Sequence, residues 1–265
     1  MTDGIRPTPT IDSTVPHSAR VWNYLLGGKD NYPVDRKLGD AILQASPGLA
    51  DVARTSREFL GRAIRHLAGE AGVRQFLDIG TGLPTADNTH EIAQRVAPES
   101  RIVYVDNDPL VLTHARALLT SSPEGATDYL HADVRDPDAI LRAAAETLDF
   151  TRPVVLILMG VMGHIADHGE ALAVMRRLMG ALPSGSYLVH YDGTSTSASM
   201  VDAQERYNDS DTDAYHVRTP EQMERAFEGL EVLEPGVVPC THWRPEPGTG
   251  TPRPVDAYCG VGRKP

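Results

Sequence analysis

Five short apolar segments, spaced along the chain from residue 75 onward and separated by helical stretches, constrain the fold more than any other feature. In chain order these segments are QFLDIG, RIVYVD, ATDYLHAD, PVVLILMG and GSYLVHYD. Strands that alternate with helices in this way are typical of repeated βαβ units, which form a parallel sheet. Two later segments, LEVLEPGVV and VDAYCGVG, follow each other across a loop rich in proline and glycine, which predicts an antiparallel pair closing the sheet.

The region before the first strand has the pattern of helices. Ser18 suits the N-cap of a short helix that ends at Gly27 and Gly28, and Pro33 suits the first turn of a second helix. A third helix is predicted from residue 51 to residue 68, because apolar residues recur there at helical spacing. Its apolar face must therefore cover another part of the protein.

The domain organisation follows from length and local composition. With 265 residues, of which 41% are hydrophobic, the chain is long enough to build one large α/β domain. Residues 1–16 are rich in proline, threonine and aspartate, which predicts a flexible arm. We expect a single domain over residues 17–265, with a helical cap at 17–72 and the sheet-containing core at 73–265.

The charge balance limits the possible partners. The chain has 25 Lys and Arg against 36 Asp and Glu, for a formal net charge of -11, and this field repels nucleic acid and anionic lipid. No apolar run resembles a signal peptide or a membrane span, so we expect a cytoplasmic protein with no nucleic-acid or membrane partner. Its two cysteines, Cys240 and Cys259, are then expected to be buried thiols, and they offer no metal site.

The turn after the first strand, in FLDIGTGLPT, is the strongest candidate for a ligand site. Gly80, Thr81 and Gly82 form a turn that lets a ligand approach the backbone, ahead of a helix N-terminus. A dinucleotide such as NAD is the alternative ligand, but its fingerprint requires a third glycine where this chain has Thr85. Asp78, two residues before the first glycine, would repel a pyrophosphate and attract a sulfonium or ammonium group. The charge therefore favours S-adenosylmethionine.

Acids also end the next two strands, at the sheet edge where open α/β folds bind ligands. Asp106 can accept hydrogen bonds from two ribose hydroxyls, and Asn107 beside it can line an adenine. Asp133 can accept from the adenine amino group, while the backbone N–H of Val134 meets a ring nitrogen. The alternative is that these acids only cap the helices that follow them.

Four motifs together make the sequence resemble a known family. They are SARVWNYLLGGKDNYPVDR, FLDIGTGLPT, VYVDNDPLVL and HADVRDP. They resemble an actinobacterial family of S-adenosylmethionine-dependent methyltransferases that was long catalogued as a domain of unknown function, and the likeness covers nearly the whole chain. The N-terminal motif is the specific one, because the other three occur in looser form across class I methyltransferases.

The resemblance implies a fold and a cofactor but no acceptor. The implied fold is the class I, Rossmann-like one: a mostly parallel seven-stranded sheet with helices on both faces, an antiparallel C-terminal strand and an N-terminal helical cap. S-adenosyl-L-methionine is the implied cofactor. It would be held by Asp78, Gly80, Gly82, Asp106 and Asp133.

The N-terminal motif is interpreted as a cover for the cofactor, because methyl transfer requires that water be kept from the reacting end. On this hypothesis the Gly-Gly pair is a hinge that folds KDNY over the pocket. Asn31 or Tyr32 would then contact the methionine moiety, and Arg20 would pair with its carboxylate. The alternative is an ordinary helix C-cap followed by a proline-initiated helix.

Candidate catalytic groups lie at the ends of the fourth and fifth strands. His164 is the best-placed candidate for a general base. Tyr191 and Asp192 lie at the same rim, where the alternative to catalysis is hydrogen bonding at the sheet edge. His164 and His168 are four residues apart, but no third ligand is evident and a metal is not expected.

These observations predict a methyltransferase acting on a small-molecule acceptor. Two alternatives stay open: a non-catalytic S-adenosylmethionine-binding or regulatory protein, and an NAD-dependent oxidoreductase.

Overall fold

The strands of the protein form one mixed sheet at the predicted segments. The computed structural model describes residues 12–85, 87–118, 120–210, 212–246 and 252–265, so the larger part of the predicted arm lies outside the described residues. The strands are β1 (Gln75–Ile79), β2 (Arg101–Asp106), β3 (Ala126–His131), β4 (Val155–Met159), β5 (Tyr187–Gly193), β6 (Glu231–Val232), β7 (Val238–Pro239) and β8 (Ala257–Arg263). Their order is β3-β2-β1-β4-β5-β8-β6, with β7 also paired to β8.

The first five strands are parallel, and β8 is antiparallel to β5. All five carboxyl ends therefore meet at one edge of the sheet. Strand β1 lies beside both β2 and β4, so the order in which the strands are added reverses between β1 and β4. This is the topological switch point at which open α/β sheets bind their ligands.

The C-terminal part of the sheet differs from the expected seven strands, because the sheet has eight among the described residues. The segment LEVLEPGVV is divided into β6 and β7, and both pair antiparallel with β8. Pro235 has no backbone N–H for a ladder, and Gly236 has a φ of +97° and donates its N–H to the carbonyl of Leu233. The chain therefore turns within the segment, and one predicted strand becomes two.

The helices cover both faces of the sheet. They are α1 (Ser18–Leu25), α2 (Pro33–Ala45), α3 (Leu49–Gly69), α4 (Thr89–Val96), α5 (Pro109–Leu118), α6 (Pro137–Ala144), α7 (His168–Ala181), α8 (Ala198–Asn208) and α9 (Pro220–Arg225), with a 3₁₀ turn at Met162–His164. Pro33 is the first residue of α2, as predicted. The N-cap of α1 is His17, one residue before the predicted Ser18.

Alternate residues of the central parallel strands enter two different apolar clusters. Phe76 and Val155 belong to the cluster that contains α1, α2, α3 and α8, whereas Leu77 and Leu156 belong to the cluster with α6 and α7. Successive strand residues point to opposite faces, so both faces of a central strand are buried. The three N-terminal helices therefore pack on one face of the sheet.

Two further observations bear on the predicted chemistry. Among the described residues, no helix combines the length and the apolar character needed to cross a bilayer.

Cys240 and Cys259 are both buried free thiols. Burial raises the pKa of Cys240 to about 12, so this thiol is unreactive at neutral pH.

Candidate functional site

A cavity of about 220 Å³ opens at the carboxyl ends of the parallel strands. Its lining residues come from α1, α2 and α3, from the ends of β1 to β5, and from α8 with the segment 213–217. Ten of the predicted site residues lie in this lining: Asp78, Gly80, Thr81, Gly82, Asp106, Asn107, Asp133, Val134, His164 and Tyr191. The sheet edge therefore gathers residues that are up to 113 positions apart, from 78 to 191.

The two glycines of the turn after β1 have different local roles. Both have positive φ, +75° at Gly80 and +65° at Gly82, a conformation that residues with a side chain rarely adopt. A Cβ on Gly80 would lie 2.6 Å from the Cβ of Val161, whereas a Cβ on Gly82 would meet nothing within 4 Å. Gly80 allows close packing of two loops, and Gly82 leaves open space beside the backbone. This open cradle fits a ligand such as a nucleoside.

The acids at the strand ends are not the caps of the helices that follow. Asp108 accepts a hydrogen bond from Leu110 N at the start of α5, and Asp136 accepts from Ala139 N at the start of α6. Asp106 instead accepts from the N–H of Gly82, at 2.9 Å. Asp133 pairs with Arg135 at 2.9 Å and stays partly exposed. Capping is thus carried out by their neighbours, and both acids face the cavity.

Asp78 is a buried carboxyl at the base of the cavity. It accepts a hydrogen bond of 2.6 Å from the hydroxyl of Thr89. Burial raises its pKa to about 6, against the opposing effects of the Thr89 hydroxyl and the positive charge of Arg57. A cationic group bound beside it would stabilise its charged form.

Arg57 is a cavity residue that sequence reasoning missed. It lies on α3 and lines the cavity, and its guanidinium donates to the carbonyl of Asp87 at 3.0 Å. Three other arginines lie on α3, namely Arg54, Arg62 and Arg65. Nothing in the local sequence separates Arg57 from these three, because only the packing of α3 on the sheet decides which one reaches the cavity.

Arg20 does not take the position predicted for it, since it is buried and does not line the cavity. Its Nε lies 3.3 Å from Oδ2 of Asp35, and its terminal nitrogens donate to the carbonyls of Asp12 and Val15. Tyr32 stacks beside it, with the guanidinium 5.1 Å from the ring centroid. Through these contacts Arg20 connects the chain before α1 to Tyr32 and Asp35 at the start of α2.

The Gly-Gly pair ends α1 and packs against Asn23. Gly27 has a φ of +78°, and the N–H of Gly28 donates to the carbonyl of Asn23. The Asn23 carboxamide oxygen accepts from Asp30 N and from Asn31 Nδ2, at 3.1 and 2.8 Å. Asn31 thus supports the loop and does not line the cavity, whereas Asn23 does. In this structure the pair has the geometry of a helix C-cap, which was the alternative to the hinge.

His164 is held with one ring nitrogen toward the protein. Its Nδ1 lies 3.0 Å from the carbonyl oxygen of Ala214, which can only accept, so Nδ1 carries the proton and Nε2 is an acceptor. The ring of Tyr215 packs edge-on against the imidazole at 5.3 Å. Burial lowers the pKa of His164, so the imidazole is neutral at pH 7. This is the protonation state that a general base requires.

Tyr191 and Asp192 lie at the end of β5 in different environments. Tyr191 is buried in the cavity wall, and burial raises its pKa well above 10, so its hydroxyl keeps its proton. It can therefore donate a hydrogen bond. Asp192 accepts a hydrogen bond from the hydroxyl of Tyr215, and burial raises its pKa to about 7. The hydrogen bond between Tyr215 and Asp192 joins the segment 214–215, which also contacts His164, to the end of β5.

The two histidines spaced four apart belong to different elements. His164 ends the 3₁₀ turn, and His168 begins α7 after the N-cap Asp167. Within the described part of the chain, no group of three or more His, Cys, Asp or Glu residues is placed to hold a metal ion.

Two solved structures similar to this chain come from the actinobacteria Streptomyces and Thermobifida. A DUF574 family protein from Streptomyces avermitilis is 46% identical, with a TM-score of 0.92 over 97% of this chain and 100% of its own. A candidate methyltransferase from Thermobifida fusca is 40% identical, with a TM-score of 0.86 over 98% of this chain and 99% of its own. Mitomycin 7-O-methyltransferase, at 18% identity and a TM-score of 0.51 over 93% of this chain and 68% of its own, shares the fold. Comparison with curated proteins finds no match.

The family comparison agrees with the site. Residues 5–265 match the family model described as S-adenosyl methyltransferase. The match favours S-adenosylmethionine over the dinucleotide as the cofactor, in line with the acidic cavity floor and the open turn at Gly82. By this match, and by its likeness to the two actinobacterial structures, the chain belongs to the S-adenosyl methyltransferase family.

Proposed function

We propose that the protein transfers a methyl group from S-adenosylmethionine to a small-molecule acceptor. The observation that carries this proposal is one cavity that joins three acids and a glycine turn to apolar residues of the N-terminal helices and α8. When bound, S-adenosylmethionine supplies a methyl carbon that accepts an electron pair from the acceptor while the carbon–sulfur bond breaks, leaving S-adenosylhomocysteine. The protein's task is then to position the reactants, exclude water and take up a proton where the acceptor must lose one.

The adenosine end is assigned to the loops after β2 and β3. Asp106 accepts hydrogen bonds from the ribose hydroxyls, in addition to those from the N–H groups of Gly82 and Asp108. Asp133 accepts from the adenine amino group, the N–H of Val134 donates to a ring nitrogen, and Asn107 lines the base. All of these residues contribute to the cavity lining.

The methionine end is assigned to the turn after β1 and to α3. Gly80, Thr81 and Gly82 provide backbone close to the ligand, and Asp78 pairs with the ammonium group. Arg57 replaces Arg20 as the partner of the carboxylate, because the Arg20 guanidinium is already paired with Asp35.

Residues 17–72 serve as a cap on a single domain that extends from 17 to 265. Ser18, Ala19, Trp22 and Asn23 of α1 line the cavity, so the cap covers it without any part of the loop 27–31 entering. Excluding water in this way leaves the acceptor as the only nucleophile near the methyl group.

His164 is the proposed general base, through Nε2. Tyr191 keeps its proton and acts as a hydrogen-bond donor in the cavity wall, not as a base. A non-catalytic S-adenosylmethionine-binding protein is the second candidate, because the cofactor half of the cavity would serve a binder equally well.

Calorimetry on the full chain tests the cofactor half of the proposal. We expect S-adenosylmethionine and S-adenosylhomocysteine to bind and NAD to give no heat. Asp106→Ala should lose about 1.5 to 3 kcal/mol per charge-assisted bond, roughly 10- to 150-fold in Kd. Circular dichroism and thermal unfolding of Asp106→Ala check that the variant is folded, because Asp106 also accepts from the N–H groups of Gly82 and Asp108. Unchanged affinity in a folded Asp106→Ala variant would contradict the ribose assignment.

Turnover separates the enzyme from the binder. S-adenosylhomocysteine release is measured by mass spectrometry with a panel of acceptors, and formation of a methylated product supports the enzyme. Tight cofactor binding with no product from any acceptor class would favour the binder.

A further inference from the structure

The cavity has an apolar half that the cofactor assignment does not use. Leu26, Ile42, Val52, Met200, Ala203 and Val217 line it, and all six belong to or pack against one apolar cluster. They come from the C-cap of α1, from α2, α3 and α8 and from the segment after α8, and α2 packs against α8. This acceptor chamber, defined by the six residues, is enclosed between the cap and α8.

The six residues that define the acceptor chamber are all apolar, and the charged residues of the cavity lining are separate from them. Asp78, Asp106, Asp133 and Arg135 are on β1 or at the ends of β2 and β3, and the positive charge of Arg57 acts on Asp78. Asp213 also lines the cavity and its charge acts on His164 and Tyr207, but its side chain is exposed to solvent. An ionised acceptor would lose its hydration in the chamber without gaining a counterion, which costs several kcal/mol. The chamber therefore selects against charged acceptors.

Polar and aromatic groups at the chamber wall indicate what it holds. Trp22, Tyr191 and Tyr207 all line the cavity, and their rings suit an aromatic body. The hydroxyl of Tyr207 is buried and, within the described chain, has no partner of good hydrogen-bond geometry, although the hydroxyls of Ser18 and Thr212 are close. A buried polar group without a partner is costly, so a ligand atom that completes it gains affinity.

The proposed base, His164, limits which chemical group of the acceptor can be methylated. His164 offers Nε2 as an acceptor, because its Nδ1 proton is committed to the Ala214 carbonyl. A neutral amine needs no base before attack, and a protonated amine carries a charge that the chamber does not pair. An aliphatic alcohol is too weakly acidic for an imidazole to assist strongly, whereas a phenol ionises near pH 10. A phenolic hydroxyl matches both the base and the chamber.

We infer that the acceptor is an uncharged, largely apolar molecule with a phenolic hydroxyl, held in the acceptor chamber with that hydroxyl at His164. This inference rests on the proposed methyltransferase function and names its substrate class. The O–H bond breaks and its proton passes to Nε2. The oxygen electron pair forms the new O–CH₃ bond while the C–S bond breaks and its electrons remain on sulfur. The product is a neutral aryl methyl ether.

The test is a binding titration on the full chain saturated with S-adenosylhomocysteine. The probes are 2-naphthol and 2-naphthol-6-sulfonate, which share a ring system and a phenolic hydroxyl but differ in one permanent charge. We expect 2-naphthol to bind and the sulfonate to bind more weakly by about tenfold or more, because the charge would be buried unpaired. Equal affinity for the two probes, or no binding of 2-naphthol, would overturn the inference.

Matched variants locate the binding. Leu26→Glu places a charge in the chamber wall, and Leu43→Glu places one at a half-buried leucine that packs on the same cluster without lining the cavity. We expect Leu26→Glu to weaken 2-naphthol binding by about tenfold and Leu43→Glu to leave it unchanged, both with unchanged S-adenosylhomocysteine affinity.

The cofactor titration separates the two proposals. If wild type does not bind S-adenosylhomocysteine, the proposed function itself fails. If S-adenosylhomocysteine binds to Leu26→Glu and 2-naphthol affinity is the same as in wild type, 2-naphthol does not occupy the acceptor chamber, and only the acceptor inference is wrong.

Discussion

At the scale of single residues, position in the fold decides what an aspartate does. Asp133 and Asp136 are three residues apart in one loop, yet the first lines the cavity and the second caps α6. The same side chain is thus used for a ligand in one case and for a helix N-terminus in the other. Because the two aspartates are close in sequence but differ in role, they are a matched pair for mutation.

We predict that one substitution changes cofactor affinity and the other changes stability. Asp133→Ala should raise the Kd for S-adenosylhomocysteine by about tenfold, the equivalent of one charge-assisted hydrogen bond at a partly exposed site, with little effect on stability. Asp136→Ala should cost about 1 kcal/mol of unfolding free energy through the lost cap and leave the Kd unchanged. Calorimetry and denaturant unfolding measure the two quantities. Equal effects on Kd would show that Asp133 does not contact the cofactor.

His164 gives a second residue-scale prediction, in the pH dependence of turnover. Burial lowers its pKa below 6.5, while the Ala214 carbonyl and Asp213 act in the opposite direction and His17 acts with burial. The base form therefore persists as the pH falls through 6.5, and the acidic limb of kcat/KM should lie below that value. His164→Gln should remove the limb and lower kcat by a factor of about 10² to 10⁴. A limb that survives in the variant belongs to another group.

At the scale of elements, the end of α1 is fixed by contacts within the N-terminal motif. Asn23 accepts from Asp30 N and Asn31, and Gly28 lies so close that a Cβ there would be 2.4 Å from the Asn23 carboxamide. The aromatic and polar residues of this motif do not follow the pattern of one amphipathic helix. They belong instead to the end of α1, a loop and the start of α2, which pack together. The face of α1 that borders the cavity depends on this packing.

We predict that Gly28→Ala disturbs the cap. The added methyl group would displace the Asn23 carboxamide from its loop partners, at a cost of about 1 to 3 kcal/mol in unfolding free energy. The affinity for S-adenosylhomocysteine should also fall, because Asn23 lines the cavity. Gly48→Ala is the control, since a Cβ there meets nothing within 4 Å and its φ of -70° suits alanine. A Gly28→Ala variant that behaves like Gly48→Ala would show that the loop adapts freely.

At the scale of the whole molecule, buried carboxyls connect stability to pH. Burial raises the pKa of Asp78 to about 6 and that of Asp192 to about 7. A carboxyl with a raised folded pKa adds stability that is fully present below its unfolded value of 3.8 and is lost as the pH rises through the folded value. The ligand-free protein should therefore lose stability between pH 4 and pH 7 from these groups.

Asp192→Asn tests this linkage. The amide stays neutral at all pH values and can still accept from Tyr215, while Arg218 is the positive charge that acts on Asp192. We expect the variant and wild type to have similar unfolding free energies near pH 4, with the variant more stable at pH 8 by on the order of a few kcal/mol. Denaturant unfolding at several pH values measures the difference. A difference that does not change with pH would place the titration elsewhere.

Much of the fold and the cofactor end of the cavity follows from local sequence. Apolar runs of strand length, the glycines at 80 and 82 and the acids at strand ends are each local patterns. A parallel sheet brings strand carboxyl ends to one edge whatever the details of the helices. For this reason ten of the thirteen predicted site residues lie in one cavity lining.

The tertiary structure alone decided the rest. Which arginine reaches the cavity, Arg57 or Arg20, depends on how α1 and α3 pack and on whether Asp35 already pairs with the guanidinium. The division of one C-terminal segment into two strands depends on its pairing with β8, and the acceptor chamber exists only where α2 meets α8. Strand-forming patterns and turn glycines act over a few neighbouring residues, so the sequence by itself determines them. Ion pairing, burial and cavity shape depend on residues far apart in the chain, and only the folded structure brings those residues together.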